Sequence, residues 1–251
     1  MRSLPLLFLV ASLPLAAQER PSTTPAIHRL PAPPAGVPAT PDAALEELRA
    51  GNARFVAGKR VRTVDTGHDA ALRAELVKGQ QPFAVIITCS DSRVPDAFVF
   101  DQEAGRLFTI REAGNAPDLQ SLASAEYAVE HLGSKVVVVM GHTGCGAVKA
   151  VREAHGKPLP GNLWALQAGM AGLLESTPEV PGEGAAAYGA RLEAGNARRQ
   201  AQALLDRSDL LRERTQSGRL RVVPALYHLD TGLVEVLHPA QTVGAVPPAH
   251  H

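Results

Sequence analysis

The chain has 251 residues and equal numbers of basic and acidic side chains, so its formal net charge is zero. The balanced charge and an aromatic fraction of 4% argue against a surface for nucleic acid or anionic lipid, which needs clustered cations or stacking rings. The length suits one domain or at most two, and 45% hydrophobic residues suffice for a buried core.

Residues 1–17 have the features of a secretory signal peptide. Arg2 supplies a positive charge, and the apolar run from Leu4 ends in small residues suited to cleavage after Ala17. The run is shorter than the roughly 20 residues that a membrane-spanning helix needs, although an uncleaved anchor is the alternative. We therefore expect a bacterial export signal and a mature chain that is periplasmic or secreted, with no membrane attachment.

The next segment, residues 18–41, contains seven prolines and predicts an extended linker or arm. A folded domain is expected over residues 42–240, followed by a tail at 241–251. Asp42 is suited to cap the first helix of this domain.

The domain alternates strand-like and helix-like patterns. Three short apolar runs rich in β-branched residues predict strands buried on both faces. These runs are residues 83–88, 107–110 and 135–140. Helical patterns occupy residues 70–77, 119–132, 163–174 and 185–214. Late strands are expected at 220–223 and within 226–237, where residues 230–232 form the turn of a hairpin. The alternation predicts an α/β fold with a central, mostly parallel β-sheet flanked by helices.

Two polar segments follow predicted strands, at the sheet edge where α/β folds place their sites. Cys89-Ser-Asp-Ser-Arg93 follows the first strand, and Gly141-His-Thr-Gly-Cys-Gly146 follows the third and opens a helix. His142 and Cys145 are three residues apart, so one loop can offer both to a metal ion. Because Zn²⁺ prefers thiolate and imidazole ligands, Cys89, His142 and Cys145 are its candidate ligands. Three protein ligands leave one position open, as in catalytic zinc sites.

A disulfide is the alternative use of Cys89 and Cys145, which are the only two cysteines. Export alone favours a disulfide, whereas the strand-end placement and the His-x-x-Cys loop favour a metal site. A disulfide-stabilised exported binding protein and a non-catalytic zinc-binding protein are therefore the alternatives to an enzyme. Taken alone, Asp91 and Arg93 predict only a surface ion pair.

The two segments resemble the zinc motifs of β-class carbonic anhydrases, and the resemblance extends over roughly residues 42–240. Shorter similarities to that family occur at residues 111–115, 124–129 and 226–232. Several positions depart from the family pattern. Glu112 stands where Asn is usual, Arg106 where Asp is usual and Pro224 where Gly is common. Ile86 and Thr88 replace the Trp and Gly of an inhibitory bicarbonate site found in one subgroup, so that site is not expected here.

The resemblance implies zinc-dependent, reversible hydration of carbon dioxide to bicarbonate and a proton. It implies that Cys89, His142 and Cys145 bind Zn²⁺ and that Asp91 and Arg93 are catalytic. In the active state of the family, the aspartate pairs with the arginine and accepts a hydrogen bond from zinc-bound water; in the inactive state Asp91 would be a fourth metal ligand. A homodimer or homotetramer is also implied. A related hydrolase of carbon disulfide or carbonyl sulfide would share these metal motifs.

Overall fold

The computed structural model describes residues 36–62 and 70–238. The predicted signal peptide, linker residues 18–35 and the C-terminal tail lie outside these ranges. No helix within the described ranges combines the length and the apolar character that crossing a bilayer requires.

A five-stranded sheet forms the centre of the fold, with strand order β2-β1-β3-β4-β5. The first four strands are parallel, and β5 runs antiparallel to β4 as the second half of a hairpin. The strands are β1 (Ala84–Thr88), β2 (Leu107–Arg111), β3 (Val136–His142), β4 (Arg221–Tyr227) and β5 (Val234–Val236). The α/β fold predicted from the sequence is therefore confirmed.

Helices cover both faces of the sheet. They are α1 (Pro41–Val56), α2 (Ala70–Leu76), α3 (Asp96–Val99), α4 (Leu119–His131), α5 (Gly146–Glu153), α6 (Trp164–Gly169), α7 (Leu173–Ser176), α8 (Ala185–Arg207) and α9 (Asp209–Gln216). Short 3₁₀ turns lie at Ala113–Asn115 and Gly161–Leu163.

Two hydrophobic cores lie on opposite faces of the sheet. Ile86 of β1 packs in one core with α1 and α3, whereas Ile87 packs in the other with α4, α8 and α9. All five residues of β1 and all seven of β3 are buried. Because neither strand has a solvent face, their sequences are continuous rather than alternating apolar runs.

The sheet has a topological switch point between β1 and β3. The chain passes from β1 to β2 on one side and later returns to form β3 on the other side of β1. Thr88 pairs with Met140, so the carboxyl ends of β1 and β3 lie side by side. Open α/β sheets bind ligands in the crevice at this position. Both candidate ligand segments begin there.

Four local predictions were wrong in detail. Thr40, not Asp42, caps α1: its side chain accepts a hydrogen bond from the Ala43 amide, and Pro41 occupies the first helical turn. The helix predicted over 185–214 is divided at Ser208, which caps α9. The helix predicted over 163–174 is divided into α6 and α7. The break predicted between residues 223 and 226 is also absent, because residues 221–227 form one strand. The hairpin predicted around residues 230–232 is confirmed, since β5 pairs antiparallel with β4.

Pro224 lies within this single strand. Its carbonyl accepts from the Leu237 amide on the β5 side, so its missing N–H faces the end of β5 rather than β3. A proline is tolerated there because no bond of the β3–β4 ladder is lost.

Candidate metal centre

Three potential ligands meet at the carboxyl ends of β1 and β3. Cys89 follows β1, His142 is the last residue of β3, and Cys145 immediately precedes α5. All three are buried, and the ligand atoms lie within 4.8 Å of one another. Gly144 takes a positive φ of 69°, which lets the loop turn between His142 and Cys145. The structure therefore brings together the three residues that the sequence nominated.

The His142 ring presents one nitrogen to the centre of this cluster. Its Nδ1 lies 3.0 Å from the Thr143 carbonyl, which can only accept, so Nδ1 carries the proton. Its Nε2 is fully buried and has no hydrogen-bond partner. An orphaned imidazole lone pair beside two sulfurs fits Zn²⁺, because buried polar atoms normally have partners.

Hydrogen bonds around the Cys89 sulfur favour its thiolate form. The Gly114 amide donates to Cys89 Sγ at 3.3 Å. A hydrogen bond from Cys145 holds the pKa of Cys89 below its ordinary value, and burial opposes this shift. The proton held between the sulfurs raises the pKa of Cys145. A cation at the centre would replace that proton, since metal-bound thiols are deprotonated.

Asp91 and Arg93 form a bidentate ion pair next to the cluster. The Arg93 Nε donates to Oδ1 at 2.9 Å, and Nη2 donates to Oδ2 at 2.7 Å. These side-chain bonds hold the pKa of Asp91 well below its ordinary value, with a further bond from the Arg93 amide. Oδ2 lies 3.8 Å from His142 Nε2, so the carboxylate faces the ligands. Arg93 Nη2 also contacts the Gly144 carbonyl at 3.2 Å, which ties the two segments together.

Arg111, at the end of β2, supports the first segment. Its Nη2 donates to the carbonyls of Asp91 at 2.6 Å and Cys89 at 3.2 Å. The sequence had singled out Arg111 only as part of a similarity to a known family. Its position directly after the predicted strand 107–110 was the sequence signal for a role at the site, and in the structure it pairs with Thr88 across the sheet.

Helix α8 also contributes to the site, through residues that sequence reasoning missed. Glu193 accepts a hydrogen bond from the Cys145 amide at 3.0 Å. Asn196 donates to the Gly114 carbonyl at 2.7 Å. Burial raises the pKa of Glu193, although its hydrogen bonds to backbone amides oppose the shift. A polar side chain in the middle of a long helix is usually solvated, so the pattern gave no signal for either residue.

Comparison with known proteins agrees with this arrangement. A family model described as carbonic anhydrase matches residues 84–234. Carbonic anhydrase 2 of Mycobacterium tuberculosis is 36% identical over 206 residues, covering 76% of this chain and 90% of the relative. A carbonic anhydrase of Mycolicibacterium smegmatis is 33% identical over 220 residues, covering 82% and 98% respectively.

Solved structures give the same result. A β-carbonic anhydrase of Aspergillus fumigatus matches with a TM-score of 0.61 at 29% identity, over 78% of this chain and 89% of that one. One from Coccomyxa, in complex with acetazolamide, matches with a TM-score of 0.62 at 26% identity, over 80% and 87%. The fold and the Cys-His-Cys cluster thus define an enzyme of the carbonic anhydrase class. The chain belongs to the β-carbonic anhydrase family.

Proposed function

We propose that this enzyme binds one Zn²⁺ through Cys89, His142 and Cys145 and catalyses the reversible hydration of carbon dioxide to bicarbonate and a proton. The observation that carries the proposal is the buried, unpartnered Nε2 of His142, with both cysteine sulfurs within 4.8 Å. When bound, zinc lowers the pKa of water and so supplies a hydroxide nucleophile near neutral pH.

Asp91 is the residue that would orient the nucleophile. Its carboxylate is ionised, faces the ligand cluster and can accept a hydrogen bond from a water between Oδ2 and the metal position. Arg93 holds Asp91 in this orientation through its two-pronged contact. Release of that contact would free Asp91 to become a fourth ligand, which would close the site to water.

Stopped-flow hydration of carbon dioxide with a pH indicator tests the proposed reaction. The purified protein should contain one zinc ion per chain and accelerate proton release, and Cys89→Ala should lose both properties. Zinc-free protein with no reactive thiol after denaturation would contradict the metal site and support a disulfide. Turnover of carbonyl sulfide or carbon disulfide without hydration of carbon dioxide would instead indicate the related hydrolases.

We further propose that the chain is exported and that it assembles as a homodimer or homotetramer. The export proposal rests on the apolar start of the sequence, and signal cleavage is tested by N-terminal sequencing of the mature protein. The assembly proposal rests on the family resemblance and on large exposed side chains that include Phe98 and Tyr127, which are 42% and 50% exposed. Light scattering after size exclusion would show a single chain mass if it is wrong.

A further inference from the structure

Three polar side chains of α8 are buried on one face of the helix. Glu193, Asn196 and Gln200 are 8%, 0% and 5% exposed. Their spacing of three and four residues aligns them along the helix. Burial of a carboxylate or an amide is costly unless hydrogen bonds compensate. The partners of these side chains therefore indicate what the helix does.

Glu193 holds the second ligand segment. The amide that donates to its Oε1, at 3.0 Å, belongs to Cys145 itself. Cys145 stands at the N-terminal end of α5, where no side chain of its own caps the helix. The contact with α8 thus fixes the backbone from which the second sulfur projects.

Asn196 holds the first ligand segment through one intervening residue, Gly114. Its Nδ2 donates to the Gly114 carbonyl at 2.7 Å, and the Gly114 amide donates to Cys89 Sγ at 3.3 Å. Gly114 has a φ of 75°, and an added Cβ would lie 2.8 Å from Met170 Cε. A larger residue would therefore be strained at this position, and Asn196 fixes the position of a direct hydrogen-bond donor to the first sulfur.

We propose that Glu193 and Asn196 are positioning residues that together set the separation of the two sulfur ligands. The inference rests on the proposed function. The two cysteines lie in different segments of the chain. The same helix, α8, holds both segments through side chains that are only one turn apart. Because both segments are fixed to the same helix, the separation of the two sulfurs is set before the metal binds. Residues that hydrogen-bond around a metal site commonly orient its ligands in this way.

Metal binding, rather than activity alone, tests this inference. Glu193→Ala and Asn196→Ala should each weaken zinc affinity about 10- to 100-fold, measured by competition with a chromophoric chelator. The cobalt-substituted variants should also show altered thiolate charge-transfer and d–d bands. Glu193→Gln keeps an oxygen acceptor for the Cys145 amide and should recover most of the affinity that Glu193→Ala loses.

Asn52→Ala is the matched control for a purely structural effect. Asn52 is 3% exposed and donates to the Val99 and Gly232 carbonyls, neither of which belongs to a ligand segment. Its replacement should lower thermal stability but leave zinc affinity and the cobalt spectrum unchanged. Wild-type affinity and spectra in both α8 variants would overturn the inference, as would an equal spectral change in Asn52→Ala.

An isosteric variant keeps the test decisive if the alanine variants do not fold. Asn196→Asp places an oxygen against the Gly114 carbonyl in place of the donor, so it should weaken zinc binding more than Glu193→Gln does. Equal affinities in these two variants would overturn the inference. A wild-type enzyme that bound neither zinc nor cobalt would refute the proposed function as well, which distinguishes that failure from loss of the positioning role alone.

Discussion

At the scale of single residues, the Asp91–Arg93 pair decides whether the fourth metal position is open. Asp91 is 17% exposed and Arg93 55% exposed, so solvent competes for the arginine and the pair can separate. The contact is maintained because it is bidentate and because Arg93 also donates to the Gly144 carbonyl. Control of the site therefore depends on guanidinium geometry as much as on charge.

We predict that Arg93→Ala releases Asp91 toward the metal and lowers the rate of carbon dioxide hydration by about 100-fold, the lower end of the range for a positioned proton-handling group. A crystal structure of the zinc-loaded variant should show Asp91 as the fourth ligand. Arg93→Lys keeps the positive charge but loses the paired N–H donors of the guanidinium. Its activity should therefore lie between that of wild type and that of Arg93→Ala. Asp91 still off the metal in Arg93→Ala would refute this mechanism.

The rate of carbon dioxide hydration should rise toward alkaline pH. Two thiolates offset the formal charge of Zn²⁺, so the pKa of bound water is lowered less than by three neutral imidazoles. Asp91 does not cause this rise, because its pKa is held well below its ordinary value and it stays ionised. The measurement is kcat/KM from mildly acid to mildly alkaline pH. A flat profile would contradict the prediction.

Asp96 gives a pH-dependent prediction about stability. Burial raises its pKa above the ordinary 3.8, although Thr109 donates to it at 2.6 Å. Because the folded pKa is higher than the unfolded one, the stability contributed by protonated Asp96 is lost as the pH rises through the folded value. Asp96→Asn removes this loss while keeping an acceptor for Thr109. The melting temperature of the variant relative to wild type should increase from pH 4 to pH 7; a constant difference would refute this.

At the scale of secondary-structure elements, two polar residues near the start of α1 have different roles that the sequence did not distinguish. Thr40 caps the helix, whereas Asp42 pairs with the exposed Arg221 at 2.8 Å. Thr40→Ala should lower the free energy of unfolding by about 1 kcal/mol, a typical cost for a lost cap. Asp42→Ala removes an exposed ion pair and should cost less, within about 0–1 kcal/mol. Urea unfolding compares them, and a larger loss for Asp42→Ala would reverse the assignment.

The central strands were predictable because their burial is two-sided. β1 and β3 are continuous apolar runs, and their observed bounds differ from the predicted ones by at most two residues. The division at Ser208 was not predictable from periodicity, because the same 3.6-residue pattern continues on both sides of it. The extended backbone of Ser208 and the hydrogen bond that the Leu211 amide donates to Ser208 Oγ show that a new helix begins there.

The ligand segments were visible in the sequence because each combines its metal-binding residues in one short loop. Glu193 and Asn196 were not visible, because their partners are backbone groups of segments distant in sequence. Sequence patterns report spacing along the chain, whereas these contacts arise only when α8 packs against the carboxyl end of the sheet. The metal roles of Cys89, His142 and Cys145 stay predictions until metal is measured.

At the scale of the whole molecule, the sheet topology explains why distant cysteines meet. The switch point between β1 and β3 brings Cys89 and His142 to adjacent strand ends, and the following loop returns Cys145 to the same position. The fold therefore places the two sulfurs close together, at most 4.8 Å apart. If the enzyme is exported as proposed, zinc and oxidation compete for the same pair of sulfurs.

We predict that zinc decides this competition. Protein stripped of metal by a chelator and exposed to oxidised glutathione should form a Cys89–Cys145 disulfide: the two thiols lose two protons and two electrons, and the glutathione disulfide is reduced to two thiols. Zinc-loaded protein should keep both thiols over the same period, because the metal holds both sulfurs. Thiol titration after denaturation and intact mass measure the outcome.

Cys145→Ala supplies the control for this competition. Its remaining Cys89 has no internal partner, so it should form a mixed disulfide with glutathione instead. Zinc-free protein that keeps two free thiols under the oxidant would show that the sulfurs cannot approach bonding geometry in the apo fold. Equal rates of thiol loss with and without zinc would show that the metal does not protect the pair. Either result would mean that occupancy of this centre does not control the redox state of the protein.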